Sequence, residues 1–268
     1  MREIRSRSNP LYKRLARLMK GRDPDSAASC AADRRQSVML EGIHLCQEWQ
    51  RHRGRPALAV VDADVLAARP PWLMALLDGL EASARVAMPA SLLASLSPIA
   101  GAQGVLFVAT LVTPSPPGRI QGDSVWLDRI QDPGNVGTLL RTIAAAGLRQ
   151  VLLSPGCAQV WSPRVLRAAQ GAHFVLDLHE GVDLLPFCET LDIPLLAAAL
   201  APDAASLYDL SLVPPCVWVF GNEGQGVDAA LLARATQQVM IPQDAVQESL
   251  NVAVAAGVCL FEQRRQRS

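Results

Sequence analysis

Three short stretches hold the side chains whose types and spacing point to chemistry. Gln131-Asp132-Pro133-Gly134-Asn135-Val136-Gly137 follows the apolar run Val125-Trp126-Leu127, with Arg141 further along. Gly221-Asn222-Glu223-Gly224-Gln225-Gly226 follows Val217-Trp218-Val219-Phe220. Glu248-Ser249-Leu250-Asn251 comes soon after Val239-Met240-Ile241-Pro242. Short β-branched and aromatic runs of this kind read as buried strands. Glycine-rich turns after strands let the backbone reach positive φ and approach a bound molecule closely. A helix opening at Ser249–Asn251 would direct its unpaired N–H groups outward. Together these features describe a pocket for a small polar ligand. An ordinary turn gives the same spacing, and G-x-x-G-x-G is not the dinucleotide-binding fingerprint. Asn135 stands about where a helix cap belongs, and Arg141 lies on the polar side of that helix; a cap and a surface arginine fit the same pattern.

The elements that must position these residues follow from apolar periodicity. From Val125 onward the pattern alternates strand and helix. Strands are expected at Val125–Leu127, Val151–Leu153, Phe174–Leu176, Leu195–Ala199, Val217–Phe220 and around Val239. Helices are expected after Pro133, at Pro163–Ala172, Leu184–Thr190 and Val227–Ala235, and from Ser249 to the end. Such alternation implies an α/β fold with a mostly parallel sheet and helices on both faces. Ligands in such sheets sit outside the carboxyl ends of the strands, where Asp128, Gly221 and Pro242 all fall.

The front of the chain alternates as well. A helical pattern begins at Asn9-Pro10, with Leu11, Leu15, Leu18 and Met19 on one face. Strands are expected at Val38–Leu40, Leu58–Val61, Val86–Met88 and Val105–Leu111, with helices after Ile43, around Leu73–Leu80 and at Ser91–Leu96. Residues 21–36 read as a polar, alanine-rich connection. Thr113-Pro114-Ser115-Pro116-Pro117-Gly118 cannot carry a helix or a central strand and marks the boundary. The division expected is 1–111, a linker at 112–122, and 123–268.

Composition bounds the class. The chain has 268 residues, 50% of them hydrophobic, and no net charge, which is the profile of folded rather than disordered protein. No apolar run is long enough for a membrane span, so no membrane partner is expected. Six cysteines without a C-x-x-C pair read as reduced thiols of a cytoplasmic protein. Four scattered histidines support no metal site. Residues 1–22 carry eight basic residues against the one acid Glu3. On charge alone this segment is a solvated helix face, a targeting peptide or a local docking site for a polyanion.

Asp132–Thr142, Phe220–Gly226 and Ile241-Pro242 with Glu248–Ala255, in this order, resemble the SpoU (TrmH-type) family of RNA ribose methyltransferases, within the SPOUT superfamily. Ile4, Ser6, Asn9-Pro10, Lys13, Leu15, Leu18 and Leu40-Glu41-Gly42 resemble the family's small substrate-binding domain, an α/β fold similar to certain ribosomal proteins. The resemblance implies a C-terminal trefoil knot, S-adenosylmethionine as cofactor, a structured RNA (rRNA or tRNA) as partner, and a homodimer formed through the knot-region helices. It favours RNA contact by the basic N-terminus over a removable leader. It assigns Arg141, Asn135, Glu223, Ser249 and Asn251 to the catalytic site, and Gly221, Asn222, Gly226, Ile241, Leu250 and Ala198 to the cofactor. Arg141 is expected to hold a phosphate and lower the pKa of the ribose hydroxyl, since a guanidinium is a poor general base. Gln170 stands where many relatives have a small hydroxyl residue, and the stretches 26–32 and 113–118 lie outside the motifs. A catalytically inactive RNA-binding protein of the same fold and an RNA base methyltransferase are the alternatives.

Overall fold

The computed structural model describes residues 1–21, 35–96, 103–112, 114–244 and 249–268. The alanine-rich stretch 26–32 and Glu248 lie outside the described residues. The chain divides into two compact units: Met1–Thr113 with Trp161–Phe174, and Pro114–Val160 with Val175–Ser268.

Among the described residues, the first unit holds strands β1 (Arg2–Glu3), β2 (Arg35–Glu41), β3 (Leu58–Asp62), β4 (Arg85–Met88) and β5 (Val105–Val112). They form a mixed sheet in the order β1-β4-β3-β5-β2, with β5 antiparallel to both neighbours. Its helices are α1 (Pro10–Leu18), α2 (Ile43–Arg53), α3 (Ala63–Ala68), α4 (Pro71–Leu77) and α5 (Ala90–Leu96). Side chains alternate across the strands, so neighbours in sequence serve opposite faces. Leu40, Val61 and Phe107 enter one core with Trp49 and Leu73; Met39, Val60 and Leu106 enter another with Tyr12, Leu15 and Leu93. Helix α1 starts on Asn9, whose side chain accepts the Leu11 N–H at 2.9 Å, with Pro10 at its first position. It buries Tyr12, Leu15 and Leu18 and leaves Lys13 and Arg17 exposed; Lys20, in the turn after it, is exposed as well.

In the second unit, β6 (Ser124–Leu127), β7 (Gln150–Leu153), β8 (Asp177–Glu180), β9 (Leu195–Ala198), β10 (Ala205–Ser206), β11 (Val217–Phe220) and β12 (Gln237–Met240) build one sheet. Every pairing in it is parallel, in the order β10-β12-β9-β11-β6-β7-β8. The strand order is not the chain order: β9 and β11 meet although β10 lies between them in sequence. Helix α6 (Pro133–Ala146) packs against α10 (Val252–Gln266). Between them in chain order come α7 (Pro163–Ala169), which belongs to the first unit, and the short α8 (Leu185–Cys188) and α9 (Ala229–Leu232). One face of the sheet contributes Trp126, Leu152, Val217 and Val219 to a core with Phe187 and Leu231. Trp218 and Phe220, two residues apart, point to the opposite face and stack at 5.8 Å between ring centroids. The Trp218 indole N–H donates to the buried Gln263 of α10 at 2.9 Å.

Several local expectations change. The helices expected at Leu184–Thr190 and Val227–Ala235 shorten to Leu185–Cys188 and Ala229–Leu232. No strand forms at Phe174–Leu176: Ala172–Phe174 is a 3-10 turn, and the strand runs over Asp177–Glu180. Phe174 is drawn into the first unit's core, edge-on to Trp49 at 5.7 Å, and a sheet-edge strand with polar ends shows little apolar signal. Helix α7 stops at Ala169, because Gln170 at φ 50° and Gly171 at φ 88° turn the chain left-handed. The last helix starts at Val252 rather than at Ser249, with Asn251 as its cap. No helix among the described residues is long and apolar enough to cross a membrane.

Candidate active site

The site is built at the carboxyl ends of β6, β9, β11 and β12. After Phe220 the chain folds into a closed loop: Asn222 and Gly226 exchange N–H···O bonds of 3.0 and 2.8 Å. The Asn222 side chain supports the loop from inside. Its oxygen accepts the N–H groups of Gly224 (2.9 Å) and Gln225 (3.0 Å), and its amide donates to the Arg129 carbonyl at 2.9 Å. Gly226 sits at φ 71°, and a Cβ on Gly221 would run into the backbone of Gly226 and Val227. Both positions therefore require glycine.

Against this loop lies a cavity of about 600 Å³. Ala198, Gly221, Asn222, Gly226, Ile241 and Leu250 all line it, together with Glu223, Ser249 and Asn251. Leu232, Val239, Met240 and Ala255 supply apolar wall. An apolar wall facing a loop of backbone polar groups suits a nucleoside-like ligand, and the volume lies in the ordinary range for small-molecule sites.

A chain of polar side chains runs beside the cavity. Asp132, not Asn135, caps α6: its carboxylate accepts the Asn135 N–H at 2.8 Å. Asn135 lies one turn inside the helix, and its side chain is left to bridge. Its amide donates to Glu223 Oε1 at 2.9 Å, and its oxygen accepts from Asn251 Nδ2 at 3.0 Å. Asn251 is also the cap of α10, its oxygen accepting from Ala253 N at 2.9 Å and Val254 N at 3.4 Å. Glu223 further accepts the N–H groups of Gln131 (3.4 Å) and Asp132 (3.3 Å). Burial pushes the Glu223 carboxyl up, but the hydrogen bonds from Asn135 and from nearby backbone N–H groups outweigh it and hold the pKa below its ordinary value. The acceptor at the end of this chain is an ionised carboxylate.

Arg141 stands apart. It lies six residues beyond Asn135, about 9 Å along the helix and about 120° around it. It is exposed, and it is not among the residues lining the cavity.

A second polar cluster escaped the sequence reading. Asp128, 3% exposed, accepts from Ser154 Oγ (3.0 Å), Asp228 N (2.9 Å) and the Arg129 guanidinium (3.1 to 3.2 Å). The hydrogen bond to Asp128 pushes the Arg129 pKa up. The strand-end position of Asp128 was visible in the sequence, but the φ of 53° at Arg129 had no sequence signal.

Fold and site define an α/β protein built to hold a small polar cofactor at the carboxyl edge of a parallel sheet. Residues 124–261 match the model of the SpoU rRNA Methylase family. The chain is 34% identical to an uncharacterised tRNA/rRNA methyltransferase of Synechocystis sp., over 98% of this chain and 94% of that one. It is 38% identical to the 23S rRNA (guanosine(2553)-2′-O)-methyltransferase RlmP of Bacillus subtilis, over 52% of this chain and 56% of that one. Among solved structures, an RNA 2′-O ribose methyltransferase superposes with a TM-score of 0.77 at 28% identity, covering 99% of both chains. The chain belongs to the SpoU rRNA methylase family.

Proposed function

We infer that this chain works in the cytoplasm as a homodimer on structured RNA, its first unit binding the RNA and its second carrying the chemistry. It is an S-adenosylmethionine-dependent RNA methyltransferase, and the atom methylated is a ribose 2′-hydroxyl oxygen. The observation that carries this reading is the cavity of about 600 Å³ beside the Asn135–Glu223–Asn251 chain. The cavity residues fit the cofactor. Gly221 and Gly226 leave their backbone open to it, apolar positions such as Ile241 and Leu250 pack on an adenosine, and Ala198 closes the strand-end side.

The cofactor supplies a methyl group bound to a positively charged sulfur. The remaining work falls to side chains. Glu223 fixes the rotamer of Asn135 and, through it, the amide of Asn251. With Ser249 these groups would orient the ribose hydroxyl toward the bound cofactor, and positioning of this kind accounts for several kcal/mol of barrier reduction. Arg141 would hold a phosphate of the substrate and stabilise charge on the 2′-oxygen as its proton passes to solvent water. Its exposed position outside the cavity favours action at the site of a second copy. Val254 and Phe261 are 53% and 47% exposed and sit about two turns apart on α10. This apolar stripe supports the dimer through α10. The departure of strand order from chain order, with α10 following β12, supports a trefoil knot in the second unit. The exposed Lys13 and Arg17 of α1 and Lys20 just after it support RNA contact by the first unit. The unpaired thiols of Cys46, Cys157, Cys188, Cys216 and Cys259 agree with a reducing compartment.

The test is a map of ribose 2′-O-methyl positions in RNA from cells with and without the protein. Loss of a defined site on removal is expected. An unchanged map contradicts the reading.

A further inference from the structure

Among the described residues, three that are not glycine have positive φ: Arg69, Arg129 and Gln170. Arg69 and Gln170 are helix C-caps, where the left-handed conformation is an ordinary way to stop a helix. Arg129 ends no helix. It follows Asp128 directly after β6, and its φ of 53° is strained for a side chain with a Cβ. Such a conformation persists only where the surroundings hold it.

What holds it is one network. The Arg129 N–H donates to Ser154 Oγ at 2.9 Å, after β7. Its carbonyl accepts from Asn222 Nδ2 at 2.9 Å, at the start of the glycine-rich loop. Its guanidinium donates to Gln225 Oε1 at 3.2 Å, in the middle of the loop, and lies 3.7 Å from Asp228 Oδ2 at the loop's end. The same guanidinium grips Asp128, which accepts the Asp228 backbone N–H at 2.9 Å. The loop that walls the cofactor cavity is thus tied at its beginning, middle and end to a single residue outside it. Asn222 and Gln225 line the cavity; Arg129 does not.

We propose that Arg129 is a positioning residue for the cofactor: it sets the shape of the Gly221–Asp228 loop and, through it, the affinity for S-adenosylmethionine, without touching the ligand. This rests on the reading that the cavity at that loop takes S-adenosylmethionine. The strain and the forked guanidinium act together. The left-handed turn aims the carbonyl at Asn222, and the two ends of the fork reach Asp128 on one side and the loop on the other. A lysine carries the charge but not the fork, and a glycine keeps the backbone shape and the main-chain ties to Ser154 and Asn222 but loses the guanidinium's ties to Asp128, Gln225 and Asp228.

The test is titration calorimetry of S-adenosylmethionine into the full chain. The variants are Arg129→Gly, Arg129→Ala, Arg129→Lys and Gln225→Ala. Wild type binds. Arg129→Gly and Arg129→Ala bind at least about tenfold more weakly, and Arg129→Lys recovers part of the loss. Gln225→Ala, a change at an exposed side chain that leaves the fold intact, binds about threefold more weakly. It adds nothing in the Arg129→Ala background, because the pair acts as one unit. In steady state the KM for cofactor rises by the same factors while kcat at saturating cofactor stays within about twofold, a split that general destabilisation does not produce. Affinity unchanged in Arg129→Gly and in Gln225→Ala, with wild type binding, overturns the proposal and leaves the enzyme's function intact. Wild type that fails to bind overturns the cavity reading and the proposal with it.

Discussion

Asn135 carries two hydrogen bonds that each fix a partner, so removing its amide leaves Glu223 and Asn251 without their shared tie. Asp132 caps α6 independently, so the helix survives the loss. Asn135→Ala is expected to lower kcat by about 10- to 100-fold, the range for losing a hydrogen bond to a charged group, with a melting curve close to wild type. Arg141→Ala should lose most methylation while cofactor affinity stays within about threefold, since Arg141 is off the cavity wall. Kinetics and calorimetry on the two variants check both; near-normal turnover in either removes that residue from the mechanism. Glu223 adds a pH signature. Its folded pKa lies below the ordinary 4.5, so its stabilising contribution is complete above that value and is lost as pH falls through the lower folded value. Glu223→Gln should therefore flatten the acid limb of the stability–pH curve. Superimposable denaturation midpoints for wild type and variant between about pH 3 and 6 would contradict this. The residue types of this chain stood in the sequence, but its wiring did not. Asn135 read equally as a cap, and only the backbone course shows Asp132 in that role.

At the scale of elements, apolar runs located β6, β7, β9, β11 and β12 to within a residue or two; the signal is strongest for β6 and β11, which are buried at every residue. Elements that obey other constraints were not legible. Strand β8 is a sheet edge reading Asp-Leu-His-Glu, and the two-residue β1 and β10 are too short to show a period. Helix α7 was seen, but nothing in its sequence tells that Leu166 and Phe174 serve the first unit's core. Helix α10 shows why its apolar pattern is broad. Ala253, Ala256, Cys259 and Leu260 are buried inside the chain, while Val254 and Phe261 face out. An outward apolar stripe on an otherwise packed helix is the surface on which the proposed dimer rests. If the proposed dimer forms through this stripe, Val254→Arg with Phe261→Arg is expected to leave monomers at micromolar concentration where the wild type is dimeric, read by light scattering. On the proposal that Arg141 acts at a second copy's site, methyl transfer should fall with dimer content. A wild-type monomer with full activity would contradict the dimer.

For the whole molecule, the two-unit division follows the proline-rich boundary after Leu111, with one exception: Trp161–Phe174 returns to the first unit from late in the chain. Contacts between distant segments leave no local pattern, and a knot of the kind proposed for the second unit is likewise something apolar periodicity cannot encode. The chain has no net charge overall, so RNA affinity must come from local clusters. Replacing Lys13, Arg17 and Lys20 with alanine should weaken RNA binding and reduce its salt dependence by about 0.7 to 0.9 log units per lost phosphate contact. Cofactor affinity should not change. Filter binding across a salt series separates this from a general loss of fold.

The most direct measurement uses S-adenosylmethionine carrying an isotope-labelled methyl group, incubated with the purified chain and ribosomal RNA. The RNA is then digested to nucleosides and analysed by mass spectrometry. Label on a ribose 2′-oxygen is the result required here. Label on a base, or RNA that stays unlabelled while the chain binds the cofactor, would contradict it.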